Sequence, residues 1–111
     1  MKRGEVWFAN LNPTIGSETA KRRPVLIVSN DANNRASATI TIVPITSQIA
    51  RVYPFEVSLP KGAAGLAKAS KAQAQQIRTI SRERISGKRV GILSAEEMTR
   101  VDAALRLHLS L

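Results

Sequence analysis

Gly16-Ser17-Glu18, Lys21-Arg22-Arg23-Pro24 and Thr46-Ser47-Gln48 are the stretches in this chain whose residue types combine hydroxyls, a carboxylate, an amide and consecutive cations. Three basic side chains in a row suit a phosphate group, because a guanidinium fork can donate to two phosphoryl oxygens at once. Pro24 restricts Arg23 to an extended backbone, which fixes the direction of that fork. A solvated basic loop is the competing reading of the same residues, and Thr46 read alone is a turn-forming hydroxyl at a strand end. Other chemistries fall away. With no cysteine and one histidine, thiolate catalysis and a two-histidine ribonuclease mechanism are excluded, and the place of His108 at the end of a helix sets a Ser-His-Asp triad aside. The eight acidic residues show no ligand spacing, so no metal site and no cofactor is expected. His108 reads as a side chain at a helix C-terminus, interacting with the helix dipole.

Charge points to the partner. Lys and Arg number 17 against 8 acidic residues, a net charge of +9, an imbalance that repels itself in a small fold and suits a polyanion. No apolar run approaches the roughly 20 residues that span a bilayer, so nucleic acid is favoured over membrane. The absence of cysteines and of a signal peptide implies the cytoplasm. At 111 residues, 43% of them hydrophobic, residues 1–111 are expected to form a single domain with one core.

Elements must bring the polar stretches together. Glu5 to Ala9, Val25 to Ser29, Thr39 to Ile45, Phe55 to Leu59 and Lys88 to Leu93 read as strands, and Ala72 through Ile80 as a sixth. Ile40 and Ile42 share one face of the third strand, the pattern of a strand with one face in the core, and Pro44 suggests an edge or a bulge there. Ser81 to Ile85 is a candidate helical turn. Ser94 and Glu97 form a capping-box signal for a helix from Ala95 to His108, with Met98, Val101, Ala104 and Leu105 as its apolar stripe and Asp102 paired with Arg106. Trp7 is assigned to the core. Many short strands and one terminal helix indicate a mainly β fold of the SH3-like small-barrel kind, with the long loop Thr14 to Arg22 as its moving part.

Motifs along the chain then coincide in order with those of a known family. Arg3-Gly4-Glu5-Val6-Trp7, Leu11-x-Pro13-x-x-Gly16-Ser17-Glu18, Arg23-Pro24-Val25-Leu26-Ile27, Asn30-Asp31, Pro44-Ile45-Thr46-Ser47, Gln76-Ile77-Arg78-Thr79-Ile80 and Val101-Asp102-x-Ala104-Leu105 carry the likeness. The chain resembles the MazF/PemK toxin endoribonucleases over nearly its whole length. The resemblance implies an SH3-like barrel with a C-terminal helix, a homodimer with an RNA groove across it, and an acidic antitoxin that occludes that groove. It further implies sequence-specific, metal-independent and ribosome-independent cleavage of single-stranded mRNA, which stops translation and growth.

Within the resemblance, catalysis falls on Arg23 and Thr46, while Ser17, Glu18, Gln76 and Arg78 map near the RNA. The wider RNA-binding set comprises Lys21, Arg22, Asn30, Asn34, Arg35, Ser47 and Gln48. The reaction is attack of a ribose 2′-hydroxyl on the adjacent phosphorus, giving a 2′,3′-cyclic phosphate (or, after its hydrolysis, a 3′-phosphate) and a 5′-hydroxyl. Guanidinium is a poor base, so Arg23 suits electrostatic stabilisation, and Glu18 or no protein group takes the proton. Asn30, Asn34, Gln76 and Arg78 can read exposed base edges; four aromatic residues are too few for extensive stacking. Two other functions compete. A CcdB-like gyrase poison should end in Trp-Gly-Ile, whereas this chain ends Leu109-Ser110-Leu111, and a non-catalytic RNA-binding domain would bind without cutting.

Overall fold

Val25-Leu26-Ile27-Val28 is an unbroken apolar run, the composition of a strand withdrawn from water on both faces. In the computed structural model, which describes residues 1–111, it does lie there. Strand β1 (Glu5–Asn10) pairs antiparallel with β2 (Arg22–Ile27), and β2 with β3 (Thr39–Thr46), in the register Val25 to Pro44, Leu26 to Val43 and Ile27 to Ile42. The short helix α1 (Asp31–Ala36) joins β2 to β3. Strands β4 (Glu56–Leu59), β5 (Ser70–Gln73), β6 (Arg78–Ser81) and β7 (Ile85–Ile92) and helix α2 (Ala95–Leu109) follow. The sheet runs β4-β5-β3-β2-β1-β7, and β6 pairs with the first half of β3.

Alternation along the central strands feeds two cores. Val6, Leu26, Val28, Val43 and Ile45 pack with Val57, Leu59, Val101 and Ala104 in one, and Ala9, Val25, Ile27, Ile40, Ile42 and Ile80 form the other. The expectation of one buried face on β3 is corrected: Ile40 and Ile42 enter one core, Val43 and Ile45 the other. Trp7 sits half-buried at the rim of the second core, its indole donating to Glu5 at 3.1 Å. The strand does not end at Pro44. Thr41 offers its carbonyl to Val28 and Ser29 on the β2 side, so Pro44 faces the opposite side by alternation. There β6 has ended at Ile42 and β5 begins at Ile45, and the missing N–H falls in the gap between them.

The long strand expected over Ala72 to Ile80 is two strands, broken by a 3₁₀ turn at Ala74–Gln76. Another 3₁₀ turn, Arg82–Arg84, bears out the helical turn expected before Gly87, while β7 begins three residues earlier than its apolar residues indicate. The ends of the sheet approach each other through a turn at Ala63–Gly65 that lies against β7. A Cβ on Gly91 would stand 2.2 Å from the Ala64 carbonyl oxygen, so only glycine permits that approach. The sheet is thereby barrel-like without being closed. Helix α2 has the anticipated capping box at Ser94 and Glu97 and buries Val101 and Ala104. Asp102, expected to pair with Arg106, instead binds Arg3 and ties the helix to the chain's first residues.

Candidate active site

Continuing the β2–β3 register by two residues sets Arg23 across from Thr46, and the β3–β5 register sets Thr46 directly opposite Lys71. Side chains directly across an antiparallel pair share a face with Cβ atoms roughly 5 Å apart. Arg23, Thr46 and Lys71 therefore form a row across three adjacent strands. They line an open groove of about 480 Å³ whose other walls are Glu18, Thr19 and Ala20 from the β1–β2 loop, Gln48, Ala50 and Arg51 from the β3–β4 loop, and Gln73.

Each member of the row is held. Arg23 donates from Nε to the Ala20 carbonyl at 2.8 Å, which orients the guanidinium and leaves its two terminal amino groups without a partner in the chain. Thr46 is buried, and its Oγ1 accepts from the Gln48 amide at 3.2 Å. The turn-forming role of this hydroxyl is thus realised, and its own proton remains free to be donated. Lys71 donates to Glu56 Oε1 at 2.9 Å and to the Arg51 carbonyl at 2.7 Å.

The β1–β2 loop closes the groove on one side and is itself latched. Thr19 donates its hydroxyl to Gln73 at 2.7 Å and its amide to Gln76 at 3.3 Å, and Gln76 donates to the Ser17 carbonyl at 3.3 Å. Glu18, the one carboxylate lining the groove, accepts from the Ile15 amide at 2.6 Å. Arg78 reaches back to the Leu11 carbonyl at 2.9 Å, and Lys21 adopts a left-handed backbone at φ 71° with its amide on Asn12. Arg22 alternates to the far side of the strand, stacks 4.3 Å above the Phe8 ring and lines a second cleft together with Ser47.

The remaining three candidates lie elsewhere. Asn30 caps α1 and accepts from Asn33 at 2.8 Å, while Asn34 is buried and bonded to Ser29 through both ends of its amide. Arg35 is exposed in the last turn of α1. This helix joins the ends of β2 and β3 opposite to those that carry Arg23 and Thr46, roughly 20 Å away at the rise of a strand. Asn30 and Asn34 are engaged in building that connection. Conversely, Thr19, Arg51, Lys71 and Gln73 line the groove without having been singled out. Alternation along Ser70–Gln73, had the strand break at Ala74 been recognised, puts Lys71 and Gln73 on one face.

The groove is cationic on balance, with Arg23 and Arg51 against Glu18, the charge of Lys71 being met by Glu56. Nowhere in the chain do three or more His, Asp or Glu side chains converge as metal ligands would, and no helix is long and apolar enough to cross a membrane. An SH3-like, strongly bent sheet with a basic groove at one rim and a capped C-terminal helix defines the structural class. The chain matches the family of PemK-like, MazF-like toxins of type II toxin–antitoxin systems over residues 2–109, and it belongs to that family. It is 49% identical to the endoribonuclease MazF9 of Mycobacterium tuberculosis, across all of this chain and 98% of that protein. Among solved structures, MazF from Deinococcus radiodurans superposes with a TM-score of 0.85 at 29% identity, covering 100% of this chain and 97% of that one. An endoribonuclease from a Mycobacterial species in complex with its cognate antitoxin gives 0.81 at 26% identity, covering 100% and 96%.

Glu56 lies beneath the groove wall. Burial pushes its carboxyl up, but the Tyr53 amide, the Gln75 side chain and Lys71 together outweigh this and hold it below the usual carboxylate value. Glu5 is held low in the same way, burial being outweighed by the Lys2 amide, the Trp7 indole and Arg89. Both contribute stability that is complete above the unfolded pKa of roughly 4.3 and is lost as pH falls through the folded values. Glu56→Gln is expected to lower unfolding free energy by roughly 2–4 kcal/mol at pH 7, since Lys71 loses its counterion. Denaturant titrations of wild type and variant from pH 7 to pH 3 should converge; a gap that stays constant with pH would refute the role given to this carboxylate.

Proposed function

We propose that the chain is an endoribonuclease toxin that cuts single-stranded mRNA by metal-independent transesterification at the groove, without need of the ribosome. The observation that carries this reading is the row of Arg23 and Thr46 in one groove, with the guanidinium oriented by Ala20 and its outer amino groups free. Family membership and the endoribonuclease activity of the Mycobacterium tuberculosis relative support it.

Cleavage begins when the 2′-oxygen of one ribose forms a bond to the adjacent phosphorus and ends when the bond to the 5′-oxygen of the next nucleotide breaks. Arg23 meets the charge that builds on the two non-bridging oxygens, and Thr46 donates its hydroxyl to one of them. Glu18 is the group in the groove able to accept the 2′-proton, and the departing 5′-oxygen takes a proton from solvent in the open groove to leave as the 5′-hydroxyl. Ser17, Lys21, Gln48, Gln76 and Arg78 flank the RNA path in this reading, whereas Arg22 and Ser47 line the second cleft on the far side of the strand. The Ser17 carbonyl and the Gln76 amide are occupied by each other, so Gln76 reads a base only when the loop lifts.

Arg23→Ala and Thr46→Ala should each lower the single-turnover rate about 10²–10³-fold on a cleavable RNA, the loss typical of a preorganised donor to a developing anion. Glu18→Gln should lower it by at least about 10²-fold and remove the acidic limb of the pH–rate profile. An unchanged rate and profile in Glu18→Gln would leave no protein base in the reaction.

Assembly follows the same reading. Ile49, Val52, Tyr53 and Leu107 are exposed, and Val52 and Leu107 share an apolar cleft with Pro54 and Ala103, which supports a homodimer through this side of the molecule. A basic groove suits an acidic antitoxin segment that occupies the RNA site, as the antitoxin complex of the Mycobacterial neighbour suggests. Sedimentation of the purified chain should give twice the chain mass and Val52→Asp half of that. An antitoxin and a non-cleavable RNA should compete; simultaneous binding would contradict the shared site.

A further inference from the structure

Lys71 is the third member of the Arg23–Thr46 row, yet its ammonium does not face the groove as a free cation. The side chain is 10% exposed and its partner Glu56 1%, so this ion pair is withdrawn from water in the wall itself. Glu56 is fully engaged: Oε1 accepts from Lys71 at 2.9 Å and from the Tyr53 amide at 3.0 Å, and Oε2 from Gln75 at 2.7 Å. Two of the three Lys71 donors are left over from this pair, and one of them is used within the chain. It binds the main-chain carbonyl of Arg51 at 2.7 Å, reaching twenty residues back along the chain.

The consequence falls on the β3–β4 loop, 47–55, which has no regular structure of its own. Its backbone is pinned to β5 at the carbonyl of residue 51 and to the Glu56 carboxylate at the amide of residue 53. Between the two pins, the Arg51 guanidinium lies 5.6 Å from the centre of the Tyr53 ring and donates to the Tyr53 hydroxyl at 3.0 Å. Arg51 is exposed, lines the groove and pairs with no carboxylate. A guanidinium held over an aromatic ring, with one N–H on the ring's hydroxyl, keeps its remaining N–H groups for a phosphate.

We infer that Lys71 is a positioning residue: through its buried pair with Glu56 it ties down the Arg51 carbonyl and so presents the Arg51 guanidinium as a second phosphate contact, flanking the phosphate held at Arg23. The inference rests on the RNA-cutting reading of the groove and adds to it the group that grips the RNA backbone beside the cut. Arg51 binds the ground state and the transition state alike, because a flanking phosphate does not change charge during the reaction. Its loss therefore raises KM and leaves kcat nearly alone.

The double replacement Lys71→Met with Glu56→Gln removes both buried charges together and leaves neither unpartnered, so it tests the tie without stranding an ion. It and Arg51→Ala are assayed as full-length protein, for cleavage kinetics on a single-stranded RNA and for binding of a 2′-deoxy analogue of that RNA at several salt concentrations. Each should raise KM and the analogue's Kd about tenfold, keep kcat within about twofold, and reduce the salt slope of binding by about 0.7, the share of one single-strand phosphate. In the Arg51→Ala background the double replacement should add less than about twofold, because both changes remove the same contact. A KM and salt slope unchanged in Arg51→Ala, or a further tenfold loss from the double replacement on top of it, would overturn the inference. Tight, salt-dependent binding of the analogue by a wild type that cuts no RNA would instead remove the nuclease reading beneath it.

Discussion

Strands β2 and β3 are buried on both faces along the register from Val25 with Pro44 to Ile27 with Ile42, and this constraint governs the rest of the molecule. A slip of one residue would carry Leu26 and Val43 into the wrong core and exchange every other side chain with them. Because both cores demand the same register, the pairing is over-determined, and the residues at its open end inherit that certainty. Arg23 and Thr46 are those residues. Their juxtaposition is thus set by apolar packing a few ångströms away, while the side chains themselves stay free of structural duty except for one hydrogen bond each. The strain of gathering like charges is met locally, by Glu56 against Lys71 and by ring faces beneath Arg22 and Arg51.

Much of this was legible in the amino-acid sequence. The apolar runs marked five strands near their observed positions, and Ser94 with Glu97 marked the start of α2 to the residue, because capping is a local hydrogen-bonding device. The two central strands were harder. Ile40 and Ile42 suggested a single core face for β3, but the strand crosses from a partly exposed half into a buried half as it changes partner from β6 to β5. That change depends on residues thirty positions away and leaves no periodic signal. The break at Ala74–Gln76 was hidden as well, since alternating Ala and Gln has the period of a strand.

For the site, Arg23, Thr46, Glu18 and Gln48 were found as polar residues at strand ends and do meet in one groove. Asn30, Asn34 and Arg35 share the same polar character but sit on α1, a helix too short to be read by periodicity, where two of them serve its cap and its anchorage. Lys71 was missed because a lysine inside a strand reads as a solvated side chain. Only the fold reveals that it stands beside Thr46 and is buried against Glu56.

The central claim, that a guanidinium and a hydroxyl in this groove direct a ribose hydroxyl against its own phosphate, is tested most directly by the ends of the RNA it cuts. Purified wild-type chain is incubated with a long unstructured RNA in excess EDTA, and both fragment termini are mapped at each break. Discrete cuts bearing 2′,3′-cyclic phosphate and 5′-hydroxyl ends are the result predicted here. Cuts that vanish with EDTA, or that leave 5′-phosphate and 3′-hydroxyl ends, would mean that a metal-activated water and not the 2′-oxygen is the nucleophile, and the account would be wrong at its centre.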